Sequence, residues 1–287
     1  MTTETKIHIL ILSCHDRRGI VSQVTQFLDY MHCNIVEASQ FTAPDTSTFF
    51  MRVAFQIENP HIKPLLLEEK FSTLAKRYGL SWQLFDSSEK VSTAIMVSKF
   101  DHCLQDLLYR WKSGLIPVDI KVIISNHEDS IQFLGNHKIP FKYLPMSKVG
   151  KQMAEDLLLE IMQEYSIELL VLARYMQVLS ESFLKRFEGQ AINIHHSSLP
   201  SFKGAKPYAQ AYERGVKLIG ATAHYVSNDL DEGPIIEQDI IRADHAMSAQ
   251  DLTNIGRDVE TIVLARAIKW HAEHRIFLNG AKTIIFK

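Results

Sequence analysis

Hydrophobic and polar positions in the first 86 residues follow the order strand, helix, strand, strand, helix, strand. Apolar runs predict the strands, and apolar residues at helical spacing between Ile20 and Met31 predict the first helix. In the third strand we expect Phe50 and Arg52 on the exposed face. This order is that of the ferredoxin-like βαββαβ sandwich. The predicted strands cover residues 7–13, 33–41, 48–57 and 81–86, and the second helix covers residues 64–78.

A polar linker at residues 87–90 separates a first domain, predicted over residues 1–86, from a second domain predicted over residues 91–287. In the second domain, short apolar runs alternate with amphipathic segments, which is typical of a doubly wound, Rossmann-like α/β sheet. A short helix is expected at residues 131–137, and a long last helix is expected with Ser248 as its N-cap, followed by a terminal hairpin. The main strands are predicted at residues 91–97, 119–125, 141–144, 167–173, 191–195 and 218–226.

Two of these apolar runs end in residues that carry chemistry. Residues two apart in a strand face the same side, so Asn193 and His195 are expected to project together. Ligands in open α/β sheets bind at the carboxyl ends of strands. An amide donor, an imidazole and a carboxylate such as Asp231 suit acyl-group chemistry. Each of the three residues also has a purely structural interpretation: Asn193 caps a turn, His195 is a core histidine, and Asp231 starts a Gly-Pro turn.

The stretch from residue 191 to residue 239 resembles the folate-dependent formyltransferase family. The shared motif combines an Asn-x-His pair, a Ser-Leu-Pro turn, a glycine and the pattern His-x6-Asp-x-Gly-Pro. His196 and the runs at residues 204–208 and 220–225 are similar to the deformylase branch of that family, and the likeness covers nearly the whole chain. The matching residues are Asn193, His195, Ser198, Leu199, Pro200, Gly204, His224, Asp231, Gly233 and Pro234.

The resemblance implies hydrolysis of 10-formyltetrahydrofolate to formate and tetrahydrofolate, which balances one-carbon pools and supplies formate for purine synthesis. Asn193 would donate to the formyl oxygen, and Asp231 and His195 would activate the water; which of the two is the base stays open. Folate is then the substrate and no other cofactor is expected. No cluster has the sequence spacing of zinc ligands, so no metal is expected. Substrate contacts are implied at Gln177, Val178, Leu179, His224, Asn228 and Gly233.

Residues 16–20, Asp-Arg-Arg-Gly-Ile, resemble the turn of an ACT module, a small-ligand regulatory domain. Gly19 would allow a tight turn that exposes helix N–H groups, which favour a carboxylate. An amino-acid effector is therefore expected here, with the alternative that Asp16 and Gly19 only shape the turn. ACT modules often act by pairing side by side, so the resemblance implies a homo-oligomer, either a dimer or a tetramer.

Composition narrows the classes of function. The chain has 287 residues, of which 46% are hydrophobic, and a net charge of −2. Because basic and acidic residues nearly balance, we expect neither a nucleic-acid partner nor attachment to an anionic membrane. Three cysteines, Cys14, Cys33 and Cys103, have no paired spacing and predict reduced thiols. No apolar run is long enough to span a membrane and no signal region opens the chain, so a cytoplasmic location is expected.

Two other functions stay open. The first is formyl transfer to an amine such as glycinamide ribonucleotide. The loop at residues 98–103 follows the first strand of the second domain, where such domains often hold phosphate, and it contains no glycine. This counts against a phosphorylated acceptor and leaves water. The second is a non-catalytic amino-acid sensor, and the joint presence of Asn193, His195 and Asp231 counts against it.

Overall fold

The computed structural model describes residues 6–145, 150–200 and 207–287. Within these residues the chain forms two compact units. The first contains the residues up to Lys90 together with Glu273–Asn279 and Ile284–Lys287. The second contains Val91–Ala272 and Gly280–Thr283. The domain boundaries predicted above, residues 1–86 and 91–287, stay a prediction, and the grouping of two C-terminal segments with the first unit was not foreseen.

The first unit is a ferredoxin-like sandwich, as predicted. Strands β1 (Ile7–His15), β2 (Cys33–Ala43), β3 (Thr48–Ile57) and β4 (Ser81–Asp86) form an antiparallel sheet in the order β2-β3-β1-β4. Helices α1 (Ile20–Tyr30) and α2 (Pro64–Tyr78) bury their apolar stripes on one face of this sheet. The core residues of the helices and strands form a single cluster, so the apolar stripes of both helices and one face of the sheet bury each other.

Residues near the C-terminus cover part of the opposite face of this sheet. Phe50 is 2% exposed and packs with Phe277 and Phe286. Arg52 is 3% exposed, and its guanidinium donates to the carbonyl oxygen of Glu273 at 3.1 and 3.3 Å. The expectation that Phe50 and Arg52 are exposed is therefore wrong. The local pattern of β3 carries no information about a segment that arrives from the far end of the chain.

The second unit is the predicted doubly wound domain. Its described strands are β5 (Val91–Val97), β6 (Val118–Ser125), β7 (Phe141–Tyr143), β8 (Leu169–Ala173), β9 (Gln190–His195), β10 (Leu218–Tyr225) and β11 (Ile235–Arg242). They form one sheet in the order β11-β10-β9-β8-β5-β6-β7. Strands β5 to β9 pair in parallel, whereas β10 pairs antiparallel with both β9 and β11. The site residues named above lie where this change of direction occurs.

The described helices of this unit are α3 (His102–Lys112), α4 (Lys151–Glu164), α5 (Glu181–Arg186), α6 (Pro207–Glu213) and α7 (Ala249–Ala272). Ser248 caps α7 as predicted: Ser248 N donates to Asp251 Oδ2 at 2.8 Å, and Asp251 N donates to Ser248 Oγ at 3.2 Å. The predicted terminal hairpin is formed by β12 (Ile276–Asn279) and β13 (Lys282–Ile285). No helix in the described ranges has both the length and the hydropathy needed to span a bilayer.

Two elements differ from the prediction. Strand β11 was not predicted, because Glu237, Gln238 and Asp239 interrupt its apolar positions. An edge strand tolerates them, since only one of its sides is bonded to the sheet. The helix expected at residues 131–137 is a 3-10 helix that begins three residues earlier, Glu128–Leu134, and ends at Gly135 with a φ of 53°. A glycine in this left-handed conformation terminates the helix.

Phe277→Ala is expected to lower the free energy of unfolding of the first unit by about 3–5 kcal/mol, the usual cost of removing a buried aromatic ring. Phe277 is 7% exposed, and its ring lies 5.5 Å from Phe50 and 5.3 Å from Phe286. Leu278 on the same strand is 50% exposed, so Leu278→Ala is the matched control. Urea unfolding followed by Trp82 fluorescence, with the other tryptophans replaced by Phe, measures both variants. Equal losses in the two would contradict a stabilising role of the buried ring.

Candidate active site

The antiparallel neighbours β9 and β10 arrange the polar residues of the site. Their register pairs Asn193 with His224 and His195 with Thr222. Side chains of directly opposed residues project to the same face, and so do residues two apart on one strand. These four side chains therefore share one face near the carboxyl end of β9. His195, Thr222 and His224 are buried, and Asn193 is half-buried.

Asp231 reaches this face from the loop that follows β10. Its Oδ2 atom lies 3.2 Å from His195 Nδ1, and its Oδ1 atom lies 3.8 Å from His224 Nε2. The hydrogen bond from His195 is the main cause that holds the pKa of Asp231 below its usual value, and partial burial opposes it. Asp231 is therefore an anion at neutral pH. Its backbone has a φ of 57°, a conformation that non-glycine residues adopt rarely and that clusters at functional sites.

His224 is a neutral ring whose tautomer is set by the backbone. Its Nδ1 atom lies 2.9 Å from the carbonyl oxygen of Tyr225, which can only accept, so Nδ1 carries the hydrogen. Burial lowers the pKa of His224 and outweighs the hydrogen bond and the Asp231 charge that would raise it. The unprotonated Nε2 then accepts from Asn193 Nδ2 at 3.2 Å. This bond orients the amide and leaves its second N–H for a ligand.

Thr222 and Gln238 hold the turn that follows β9. The Thr222 hydroxyl donates to Ser197 O at 2.8 Å and accepts from Leu199 N at 3.0 Å. Gln238 Nε2 donates to Leu199 O at 3.0 Å and to Thr222 Oγ1 at 2.9 Å. Neither residue is predicted from the sequence. Their signal is a polar side chain inside an apolar or edge strand, but its partner is known only once the register is known. Gly204 of the motif lies outside the described residues.

Gly233 allows the Asp231 loop to approach the end of β10. A Cβ atom added to Gly233 would lie 1.7 Å from the carbonyl oxygen of Tyr225, so any side chain there would displace the loop. Tyr225 N donates to the carbonyl oxygen of Pro234 at 3.0 Å, which closes the loop on itself. The geometry thus gives Gly233 a role in loop closure. Its predicted contact with substrate stays a prediction.

Comparison with known proteins decides the family. Residues 91–268 match the family model described as formyl transferase, which is more than half of the chain. The chain belongs to the formyl transferase family. Residues 8–70 match the model of the ACT domain, so the chain carries an ACT domain near its N-terminus, as the resemblance implied.

Relatives that are similar over nearly the whole length are deformylases. Formyltetrahydrofolate deformylase of Bacillus subtilis is 47% identical over 278 residues, which are 96% of this chain and 93% of the relative. The crystal structure of formyltetrahydrofolate deformylase from Burkholderia mallei is 45% identical with a TM-score of 0.92, and the match covers 98% of this chain and 100% of that one. The resemblance of the chain to the deformylase branch of the family is therefore confirmed.

A more distant solved structure marks the other branch of the family. Glycinamide ribonucleotide transformylase 1 from Symbiobacterium toebii is 28% identical with a TM-score of 0.66. The match covers 98% of that chain but only 71% of this one. The alignment with the transformylase therefore leaves more than a quarter of this chain unmatched, whereas the match with the deformylases leaves almost none.

The segment after β8 contains the residues expected to contact folate. Gln177 and Val178 are exposed, and Leu179 is 6% exposed with its side chain in the core. Leu179 can therefore offer a ligand only its backbone. Asn228 is exposed, and its Nδ2 atom lies 3.5 Å from Glu181 Oε1. Contact of these residues with substrate stays a prediction.

Three potential metal ligands, His102, Cys103 and Glu260, lie within 4.8 Å of one another in the described part of the chain. Their sequence separation hid this grouping. Glu260 already accepts hydrogen bonds from His102 and Tyr208 and pairs with Arg174. Burial raises the pKa of the Cys103 thiol well above its usual value, so the thiol stays protonated. The Glu260 carboxylate thus has protein partners already, and the expectation of no metal stays a prediction.

Gly233→Ala is expected to lower the free energy of unfolding of the second unit by about 1–3 kcal/mol, because the added methyl group meets backbone rather than a movable side chain. Leu230→Ala is the matched control, since Leu230 lies in the same loop and is 62% exposed. Urea unfolding followed by the fluorescence of Trp111 and Trp270 measures both variants. A Gly233→Ala protein as stable as Leu230→Ala would contradict the close approach.

Proposed function

We propose that this chain hydrolyses 10-formyltetrahydrofolate to tetrahydrofolate and formate. The observation that carries the proposal is an amide donor beside an imidazole–carboxylate pair: Asn193 Nδ2 lies 3.2 Å from His224 Nε2, and His195 lies 3.2 Å from Asp231. Transfer of an acyl group to water needs a donor for the developing oxyanion and a group that moves protons. The name formyltetrahydrofolate deformylase, carried by a relative that spans 96% of this chain, supports the same substrate and reaction.

In the proposed reaction, water attacks the formyl carbon and the formyl oxygen becomes negative. The second N–H of Asn193 donates to that oxygen. The His195–Asp231 pair takes one proton from the water. The bond between the formyl carbon and N10 then breaks, and N10 receives a proton from the same pair, which leaves tetrahydrofolate and formic acid. His195 Nε2 is buried without a hydrogen-bond partner among the described residues, so it is the ring atom free to exchange this proton.

Substrate contacts are proposed around this centre. Gln177 and Val178 present exposed side chains beyond β8, and Leu179 presents its backbone; all three are proposed to line the pterin. Asn228 is proposed to contact the substrate from the loop that also carries Asp231.

The acceptor is proposed to be water rather than an amine. In the loop after β5, Ser98 is buried; its hydroxyl donates to Asn126 Oδ1 at 2.8 Å and accepts from Met176 N at 3.1 Å. Phe100 lies against the guanidinium groups of Arg174 and Arg257, at 5.7 and 5.1 Å. The loop is thus built from side-chain contacts and, without glycine, offers no backbone nest for a phosphate. These features support hydrolysis over transfer to a phosphorylated amine.

Isotope labelling tests the reaction. Incubation with 10-formyltetrahydrofolate in ¹⁸O-labelled water is expected to release formate that carries one ¹⁸O atom, without any amine present, because the attacking oxygen comes from water. Glycinamide ribonucleotide is expected to leave the rate unchanged and to remain unformylated. Formylated ribonucleotide as the main product would overturn the proposal in favour of a transferase, and absence of both products would favour the sensor.

Asn193→Ala tests the proposed oxyanion donor, with release of formate as the measurement. Loss of one oxyanion donor is expected to lower kcat by about a hundred- to a thousand-fold with little change in KM. Asn254→Ala is the matched control, because Asn254 is an exposed asparagine on α7. A folded Asn193→Ala protein with the kcat of the control would contradict the oxyanion role.

The first unit is proposed to bind an amino-acid effector and to assemble chains. Gly19 has a φ of 95° and precedes α1, whose first N–H groups are free of intrahelical acceptors and suited to donate to a carboxylate. The edge strand β2 exposes Val36 and Phe41, which suits pairing with a second copy. Light scattering of the full chain is expected to give the mass of a dimer or tetramer. An assay of formate release is expected to show a changed rate when a mixture of amino acids is added. A monomer indifferent to amino acids would contradict both.

A further inference from the structure

Glu260 lies near the middle of α7 and is 0% exposed. Its carboxylate accepts a hydrogen bond from the Tyr208 hydroxyl at 2.6 Å and lies 2.8 Å from His102 Nε2. Arg174 Nε is 3.3 Å from the same carboxylate. We call His102, Arg174, Tyr208 and Glu260 the Glu260 cluster. It joins α3, the end of β8, α6 and α7, and the proposed mechanism makes no use of it.

The cluster is held together by a buried negative charge. Burial alone would raise the pKa of Glu260, but the hydrogen bond from His102, the charge of Arg174 and the hydrogen bond from Tyr208 hold it below its usual value. Burial and the neighbouring carboxylate raise the pKa of Tyr208, so the phenol keeps its proton and donates it. The carboxylate is therefore ionised, and every partner donates to it or balances its charge.

The position of Tyr208 is shaped by the helix it touches. A Cβ atom on Gly256, one turn before Glu260, would lie 2.2 Å from Tyr208 Cζ. Only glycine leaves room for the ring to lie against α7 with its hydroxyl at the Glu260 carboxylate. Two residues of α7 therefore determine where Tyr208 lies: Gly256 leaves space for its ring, and Glu260 accepts its hydrogen bond.

His196 connects the cluster to the candidate active site. Its ring centroid lies 5.0 Å from that of His195 and 6.3 Å from that of Tyr208. Burial, with the charges of Arg174 and His195, lowers the pKa of His196 to about 3, so the ring is neutral. His196 therefore acts as a packed spacer. The ring lies near both His195, which faces Asp231, and Tyr208.

Stability alone does not account for such a cluster. Replacing a buried ion pair by well-packed apolar residues is often neutral or stabilising, because desolvation offsets the attraction between the charges. What a buried network of hydrogen bonds and ion pairs does well is hold its members in one arrangement. His195 needs this, because its Nε2 atom is buried and has no hydrogen bond from the described residues to fix the ring from that side.

We propose that the Glu260 cluster, acting through His196, is a positioning device that keeps the His195 ring aligned with Asp231 and with the bound formyl group. This inference rests on the proposed hydrolysis. Tyr208 and Glu260 are then positioning residues for the reaction, and they touch neither the folate nor the water.

Kinetics of three variants test the proposal. Glu260→Gln keeps the shape and removes the charge, and kcat for formate release is expected to fall about 10- to 100-fold, since a misplacement of about 1 Å can cost a hundred-fold. Tyr208→Phe keeps the ring and removes one hydrogen bond, with an expected fall of about three- to tenfold. KM is expected to stay within about twofold in both. Asp258→Asn, the same chemical change at an exposed position of α7, is the matched control and is expected to keep the wild-type kcat.

A second readout does not depend on substrate. In protein with isotope-labelled histidine, NMR signals of the His195 and His196 rings, assigned by single replacement, are expected to shift in Glu260→Gln and Tyr208→Phe but not in Asp258→Asn. If Glu260→Gln does not fold, the milder Tyr208→Phe carries the test alone.

The outcomes separate the two proposals. Lowered kcat with shifted His195 signals supports the positioning role. Unchanged kcat in a folded Tyr208→Phe or Glu260→Gln protein, or lowered kcat with unmoved His195 signals, overturns it. A wild-type protein that releases no labelled formate overturns the proposed function, while the NMR comparison still reports whether the cluster controls the His195 ring.

Discussion

The pairing of β9 with β10 is the contact on which the site depends. Because β10 runs against an otherwise parallel set of strands, its side chains meet those of β9 in directly opposed pairs. This register places His224 opposite Asn193, which orients the amide, and Thr222 opposite His195, which secures the following turn. A slip by one residue would turn all of these side chains to the other face of the sheet. The hydrophobic residues between them, Ile194 among them, resist that slip because they would then lose their packing.

The loop that carries Asp231 depends on the same strand. Its ends are joined where Tyr225 N meets Pro234 O, and Gly233 permits the approach. The carbonyl oxygen of Tyr225 accepts from His224 Nδ1 and is also the atom that a Cβ added to Gly233 would meet first. One peptide group therefore sets the tautomer of His224 and limits the path of the loop. The left-handed backbone of Asp231 costs of order 1–3 kcal/mol, which the surrounding contacts must offset.

The sequence alone predicts most of the fold, because apolar periodicity reports burial directly. Both α/β architectures follow from it, as do the strand that carries Asn193 and His195 and the cap at Ser248. It does not predict β11, whose central residues are polar, or the burial of Arg52, which is caused by residues distant in the chain. In the candidate site, motif spacing points to Asn193, His195 and Asp231, and the structure brings His195 and Asp231 together. It cannot point to Thr222 or Glu260, because their contacts are with partners that only folding brings near.

Two ionic networks of the protein differ in their access to solvent. In the first unit, Arg52 and Arg275 pair with Glu37, whose side chain is 38% exposed. Water can solvate the charge of that carboxylate, so the side chains of this network can move without a large change in free energy. In the second unit, the Glu260 side chain is 0% exposed, and protein groups alone must balance its charge. Any movement of Tyr208, His102 or Arg174 then leaves a buried charge poorly compensated, at a cost of several kcal/mol. The buried network around Glu260 therefore resists displacement more strongly than the network around Glu37. It is also the network whose Tyr208 lies near His196, the neighbour of His195.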